Sequence, residues 1–82
     1  MKYKFHTDGG HGWLEVTRKE LAAFGLLDKI SDYSYQRGDS VFLEEDCDMA
    51  LFHHAKGFTD CSYYDTLYQD DSPVRRYARF KS

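Results

Sequence analysis

Pairs of short segments with alternating apolar side chains constrain the fold of this chain most. Such alternation predicts strands, and the intervening turns predict hairpins. Residues 2–6 and 13–16 form the first pair, joined by the glycine-rich turn 7–12. Residues 30–36 and 40–45 form the second, joined by a turn in which glycine and aspartate suit the required backbone angles. The sequence therefore predicts two β-hairpins.

A short helical pattern follows each hairpin. Thr17 and Glu20 have the spacing of a capping box, in which the threonine hydroxyl accepts from a free backbone amide at the start of a helix. Asp46 or Asp48 can cap the start of a second helix. Gly57 is expected to end that helix, because glycine is favoured just after the last helical residue. The sequence therefore predicts a hairpin followed by a helix, twice in succession.

A third strand pair is predicted at residues 58–68 and 74–80, around the polar turn 69–73. The predicted order is ββαββαββ, in one α+β domain covering residues 1–82. An antiparallel sheet with two short helices on one face, in two layers, buries every amphipathic element. Seven apolar residues are expected to share that core: Leu14, Val16, Leu21, Phe24, Leu43, Leu51 and Phe52.

Charge is distributed unevenly along the chain. The formal net charge is −3, yet residues 73–82 hold four bases and no acid. An acidic cluster beside exposed aromatic side chains favours binding to a basic protein surface. The residues assigned to that site are Glu44, Glu45, Asp46, Asp48, Trp13, Tyr33 and Tyr35. The alternative is that the basic segment lies beside the acidic cluster and neutralises it, or that the cluster is only a solvated strand end.

A second functional hypothesis concerns residues 74–81. Strand alternation there places a basic row with one aromatic on a single face, which suits a nucleic-acid backbone: Arg75, Tyr77, Arg79 and Lys81. The sequence pI of about 5.7 opposes general affinity for polyanions, so protein binding ranks higher. A small enzyme of unassigned reaction is a third hypothesis, although His11 near Asp8 comes without an identifiable nucleophile.

Metal and redox chemistry are not expected from the spacing of the candidate ligands. The set consists of His6, His11, His53, His54, Cys47 and Cys61, and it contains no C-x-x-C or H-x-x-x-H pair. We therefore expect no metal, no cofactor and no disulfide between the two cysteines. No apolar run of membrane length interrupts the sequence, and we expect no leader, so we expect the cytosol rather than a membrane.

Three motifs resemble a set of small proteins encoded by bacterial plasmids, phages and other mobile elements. They are His11-Gly-Trp-Leu14, Tyr33-Ser-Tyr35 and Val41-Phe-Leu-Glu-Glu-Asp-Cys-Asp48. The resemblance supplies no catalytic residue and implies a setting in the bacterial cytoplasm. By association with anti-CRISPR proteins, it implies a non-enzymatic module that binds and blocks a basic surface of a host defence complex. A second copy of the chain is the alternative partner.

Overall fold

The computed structural model describes residues 2–60 and 62–81. It contains six strands and two α-helices: β1 Tyr3–Thr7, β2 Gly12–Thr17, α1 Arg18–Ala23, β3 Tyr35–Arg37, β4 Ser40–Glu44, α2 Asp48–Lys56, β5 Tyr64–Tyr68 and β6 Ala78–Arg79. Two 3₁₀ helices, Leu27–Lys29 and Pro73–Arg76, interrupt this series. The α+β class is confirmed, whereas the predicted element order is matched only in part, because neither 3₁₀ helix was expected.

The six strands form one mixed sheet in the order β5-β1-β2-β4-β3-β6. The pairing of β1 with β5 is parallel, and the other four pairings are antiparallel. The prediction of a wholly antiparallel sheet was therefore wrong at β5. That strand lies beside β1 because the connection through α2 crosses the helical face of the sheet and returns in the same direction as β1.

The predicted third hairpin does not form, because β5 and β6 lie at opposite edges of the sheet. Between them the backbone turns into a 3₁₀ helix at Pro73, which has no N–H to give to a strand ladder. The Ser72 hydroxyl accepts from the Val74 N–H at 3.4 Å and caps that helix. We call residues 72–81 the strap; its first part runs over one face of the sheet, and it ends at the edge of the sheet in β6.

Helices α1 and α2 cover the opposite face of the sheet, where the main core lies. Five of the seven expected core residues are buried in one cluster there: Leu14, Val16, Leu21, Leu43 and Phe52. The prediction was wrong for Phe24 and Leu51, which are 43% and 39% exposed. Phe24 is the C-cap of a six-residue helix, and Leu51 is rotated by about 100° from its buried neighbour Phe52.

A smaller apolar cluster lies between the sheet and the strap. Trp13, Phe42 and Val74 are its buried members, and Tyr35 and Tyr77 pack against it. The fold therefore has helices on one face of the sheet and the strap on part of the other. The predicted two-layer arrangement omits this second covering.

The strap is held by polar contacts at both ends. Arg75 forms an ion pair with Asp8 in the β1–β2 turn. Arg79 donates to the backbone carbonyl of Asp32 at 3.1 Å. These contacts join residues that are far apart in the chain and position two arginines over the end of the sheet.

Local signals account for most of the helix and turn boundaries. The Thr17 hydroxyl accepts from the Glu20 N–H at 3.1 Å, which is one half of the capping box. The other half does not form, because the Glu20 carboxylate accepts from the Tyr3 hydroxyl and from the Lys56 ammonium at 2.9 Å. Gly57 ends α2 with a φ of 74°, a left-handed conformation that favours glycine. The N-cap of α2 is Cys47 rather than Asp46 or Asp48, and no side chain caps this helix. None of the helices within the described residues is long and apolar enough to cross a bilayer.

Candidate functional site

A concavity of about 370 Å³ opens on the strap side of the sheet, beside the turn after β4. Five of the seven residues assigned to the protein-binding site line it: Trp13, Tyr33, Tyr35, Glu44 and Asp46. Arg75 and Arg79 from the alternative basic set line the same concavity, as do His11 and Cys47. Residues proposed for two different functions therefore share one site.

Strand pairing brings the two halves of this site together. Trp13 on β2 stands opposite Glu44 on β4 in the antiparallel register. Just beyond that pair, the Glu45 N–H donates to the Gly12 carbonyl at 3.0 Å. The β1–β2 turn, which carries His11, is thus fixed beside residues 44–46, which we call the acidic turn.

Glu44 is the buried member of the acidic turn. Its residue is 8% exposed, and its Oε1 accepts from the Asp46 N–H at 2.9 Å. Its Oε2 lies 3.7 Å from Nδ1 of His11. A carboxylate held this way is restricted in orientation, because one oxygen is tied to the backbone and the other faces the imidazole.

Desolvation and then neighbouring acids raise the pKa of two groups around the acidic turn. The pKa of Glu45 is raised by desolvation and then by the charges of Asp46 and Glu44. The pKa of the Cys47 thiol is raised by desolvation and by the Glu44 and Asp48 carboxylates. Both shifts have the sign expected where negative charge is incompletely compensated.

The arginines at the concavity are engaged with other groups of the chain. Arg75 donates two hydrogen bonds to the Asp8 carboxylate, one of them at 3.0 Å, and holds the pKa of Asp8 well below its usual range. Its guanidinium lies 5.3 Å from the ring centroid of Trp13. Arg79 stacks at 4.9 Å on Tyr35. The basic segment thus lies beside the acidic turn, but its arginines bond to Asp8 and to a backbone carbonyl.

Tyr77 and Lys81 lie apart from this concavity. Arg37 donates to the Tyr77 hydroxyl at 3.2 Å, and the Tyr77 ring packs 5.0 Å from Phe42. The Lys81 N–H donates to the Gln36 side chain at 3.0 Å. The single strand predicted over residues 74–80 is not formed, because Arg75 belongs to the 3₁₀ helix and only residues 78–79 pair as a strand.

The remaining two acids of the predicted site occupy different environments. Glu45 is exposed beside the concavity without lining it. Asp48 is 3% exposed and lies inside the fold. Its carboxylate accepts from the Ser31 N–H at 3.1 Å, from the Ser31 hydroxyl at 2.7 Å and from the Ser34 hydroxyl. Asp48 therefore joins α2 to the segment that precedes β3.

Trp13 contributes a buried donor to the wall of the concavity. The residue is 2% exposed, and its indole Nε1 has no hydrogen-bond partner among the described residues. A buried N–H without an acceptor is costly, and this one is enclosed by the chain rather than open to the concavity.

The sequence analysis did not include His11 or Cys47 among the residues assigned to the protein-binding site. His11 is far from Glu44 in the chain, and only the β2–β4 pairing brings the two together. Cys47 directly follows Asp46 in the sequence, and this nearness was the only sign that it would lie at the site. Two of the other three histidines are hydrogen-bonded elsewhere: His6 with Glu15 at 2.8 Å, and His53 with the Tyr63 hydroxyl at 3.1 Å.

The metal-ligating side chains at this site form one cluster in the described part of the chain. His11, Glu44 and Asp46 each offer one ligand atom, and these three atoms all lie within 4.8 Å of one another. Imidazole and carboxylates of this kind are ligands that divalent transition metals accept.

Comparison with known proteins gave no match for this chain. No protein-family model, no curated protein and no solved structure matches it. The relationship to mobile-element proteins that the three sequence motifs suggest stays a prediction.

Proposed function

We propose that this chain is a small protein-binding module that acts by occupying a basic site on a partner protein. The observation that carries the proposal is the concavity itself, which collects Glu44 and Asp46 with Trp13, Tyr33 and Tyr35. Acidic groups beside aromatic anchors are the combination that recognises basic side chains at protein interfaces. The module works by occupancy rather than by turnover.

Charge at the site supports a basic partner. Within residues 2–60 and 62–81, no lysine or arginine forms an ion pair with Glu44, Glu45 or Asp46. Their negative charge is therefore available to a partner, apart from the contact of Glu44 with His11. Clustered charge of one sign accelerates encounter with a surface of the opposite sign and makes the association rate depend on salt.

Aromatic side chains at the site supply the area that a partner can bury. Tyr33 is 61% exposed, and Tyr35 is half-buried against the strap. Tyrosine adds apolar area and a hydroxyl at a low cost in side-chain entropy, which is why it is frequent at interfaces. We assign Tyr33 as the main anchor, with Glu45 and Asp46 as its charged rim.

The setting is part of the same proposal. A chain that resembles mobile-element proteins in three motifs fits the bacterial cytosol, and a host defence nuclease complex has the basic nucleic-acid channel that such a surface would occupy. Self-association through the concavity is the competing outcome.

Nucleic-acid binding through the strap is the weaker alternative. Arg75 and Arg79 already have acceptors within the chain, so each would have to exchange them for phosphate. A phosphate-binding surface normally offers unpaired cations, because counterion release provides most of the affinity. The acidic turn in the same concavity would also repel the backbone.

The test combines partner capture with binding kinetics. The tagged chain is used to isolate a partner from a bacterial host lysate, and the purified partner is then measured by surface plasmon resonance at several salt concentrations. The variant Glu45→Lys with Asp46→Lys reverses two exposed charges at the site. We expect its association rate to fall at least about tenfold, and the parent's rate to fall steeply with salt.

The control is Asp28→Lys with Asp65→Lys, which makes the same change in net charge at exposed positions outside the concavity. It should slow association much less. A Tyr33→Ala variant should speed dissociation instead. Equal loss in the site and control variants, or binding of single-stranded nucleic acid that Arg79→Ala abolishes, would contradict the proposal.

A further inference from the structure

We propose that His11, Glu44 and Asp46 form a binding site for a divalent transition metal of the Zn²⁺ class. This inference goes beyond the proposed protein partner and does not rest on it. It also departs from the sequence analysis, in which the spacing of histidines and cysteines gave no reason to expect a metal.

The spacing of the ligand atoms fits a single ion. Two ligands that bind one zinc ion tetrahedrally at about 2.0–2.2 Å stand roughly 3.3–3.6 Å apart. Nδ1 of His11 and Oε2 of Glu44 are 3.7 Å apart, and the ligand atom of Asp46 lies within 4.8 Å of both. Asp46 is exposed, so its side chain is free to rotate towards the other two ligands.

The backbone prepares the buried ligand for this role. Oε1 of Glu44 accepts from the Asp46 N–H, which leaves Oε2 directed at His11. Such outer contacts orient metal ligands and raise affinity. The two turns that carry the ligands are joined by the hydrogen bond from the Glu45 N–H to the Gly12 carbonyl.

An unpartnered polar group lies beside these ligands, because the ring centroids of Trp13 and His11 are 6.2 Å apart. Trp13 forms part of the wall of the concavity, is almost fully buried, and carries an indole N–H with no partner among the described residues. Three protein ligands leave an open coordination position, which a water fills in zinc sites of this type. The indole N–H is enclosed by the chain, so a small movement of the Trp13 ring is needed before the oxygen of such a water, or of an anionic ligand that replaces it, can accept from it.

The ligand set selects the metal class. One imidazole nitrogen and two carboxylates suit Zn²⁺, whereas Mg²⁺ prefers oxygen ligands and retains most of its waters. We therefore expect Zn²⁺ to bind and Mg²⁺ at the same concentration to leave the protein unchanged.

The experiment is a calorimetric titration of the EDTA-treated and dialysed protein with ZnCl₂. We expect one saturable site per chain. His11→Ala and Asp46→Asn should each weaken Zn²⁺ binding by more than about 100-fold, since loss of an outer contact alone costs about 10–100-fold. The matched control is His54→Ala, which removes an exposed histidine on α2 and should change nothing.

Tryptophan fluorescence supplies an independent readout, because Trp13 is the only tryptophan in the chain. Co²⁺ should quench it saturably in the parent and in His54→Ala, but not in His11→Ala or Asp46→Asn. Absence of a saturable zinc site in the folded parent would overturn the proposal. So would a site that survives both ligand variants but is lost in Cys47→Ser, since the exposed thiol would then be the binding group.

Discussion

Four acids were assigned to the protein-binding site from the sequence, and Asp48 is one of them. Replacing Asp48 with alanine should destabilise the fold more than the same change at any of the other three. The Asp48 carboxylate is buried and accepts from the Ser31 N–H, the Ser31 hydroxyl and the Ser34 hydroxyl. The Ser34 hydroxyl in turn accepts from the Glu44 N–H at 3.0 Å. Alanine would leave the Ser31 amide without its acceptor. It would also remove the hydrogen-bonded link that runs from Asp48 through the Ser34 hydroxyl to the Glu44 N–H.

The size of the effect follows from these contacts. A hydrogen bond to a charged group contributes about 1.5–3 kcal/mol, and a buried donor left unpaired costs about 1–3 kcal/mol. The two hydroxyls can turn towards other acceptors, whereas the Ser31 N–H cannot. We therefore expect a loss of about 3–5 kcal/mol in the free energy of unfolding, against a total of about 4–12 kcal/mol for a domain of this length.

Urea unfolding followed by circular dichroism measures this loss, with Asp46→Ala as the matched control. Asp46 is exposed, and its hydrogen bond to Glu44 comes from the backbone, which alanine retains. The control should stay within about 0.5 kcal/mol of the parent. In thermal scans Asp48→Ala should melt at least about 12 °C lower. If the two variants unfold alike, the buried network does not stabilise the fold, and a partner-binding role for Asp48 regains its standing.

Three further predictions follow from packing and charge. Phe52→Ala should cost about 3–5 kcal/mol and Leu51→Ala under about 1 kcal/mol by urea unfolding, because only the first side chain is fully buried; similar costs would place both in the core. The parent should lose stability as the pH falls below 3.8, the ordinary pKa of Asp8, because the folded state holds this carboxyl ionised to lower pH; Asp8→Asn should lose less in acid titrations. In a variant that lacks the other cysteine, Cys47 should react slowly with iodoacetamide at pH 7, because desolvation and the Glu44 carboxylate raise the pKa of its thiol. Glu44→Gln should speed the reaction, and equal rates would exclude the electrostatic effect of Glu44.

The parts of the fold that local chemistry determines could be predicted from sequence. Thr17 caps α1 because a hydroxyl at that position reaches a free amide, and Gly57 ends α2 because glycine tolerates a positive φ. Gly38 has a φ of 58° in the predicted second hairpin turn. These signals lie within a few residues of the structure that they determine.

The edges of the sheet could not be predicted because their partners are distant in the chain. The parallel pairing of β5 with β1 depends on the path of the chain after α2. The alternating pattern of residues 74–80 fits one continuous strand, and it fits a 3₁₀ helix followed by a short strand equally well. Leu51 shows a related limit, because α2 is apolar on more than one side and composition does not reveal which side meets the sheet.

The candidate site could be predicted only in part, because some of its residues are close in the sequence and others meet only through strand pairing. Glu44 and Asp46 are two residues apart in the sequence, so their cluster was visible, and Tyr33 and Tyr35 were assigned beside it. His11 joins them only through strand register. The expectation of no disulfide stays a prediction, since Cys61 lies outside the described residues.

The route of the strap has a consequence for the order in which the site is built during synthesis. Arg75 and Arg79 complete the wall of the concavity, yet the ribosome makes them after both α-helices and after strands β1 to β5. At about 5–20 residues per second, the β1–β2 turn waits several seconds for the arginine that pairs with Asp8. A nascent chain that stops before residue 72 has the acidic turn but leaves Trp13 and Phe42 uncovered. The complete wall of the concavity is therefore present only in chains whose synthesis has passed the strap.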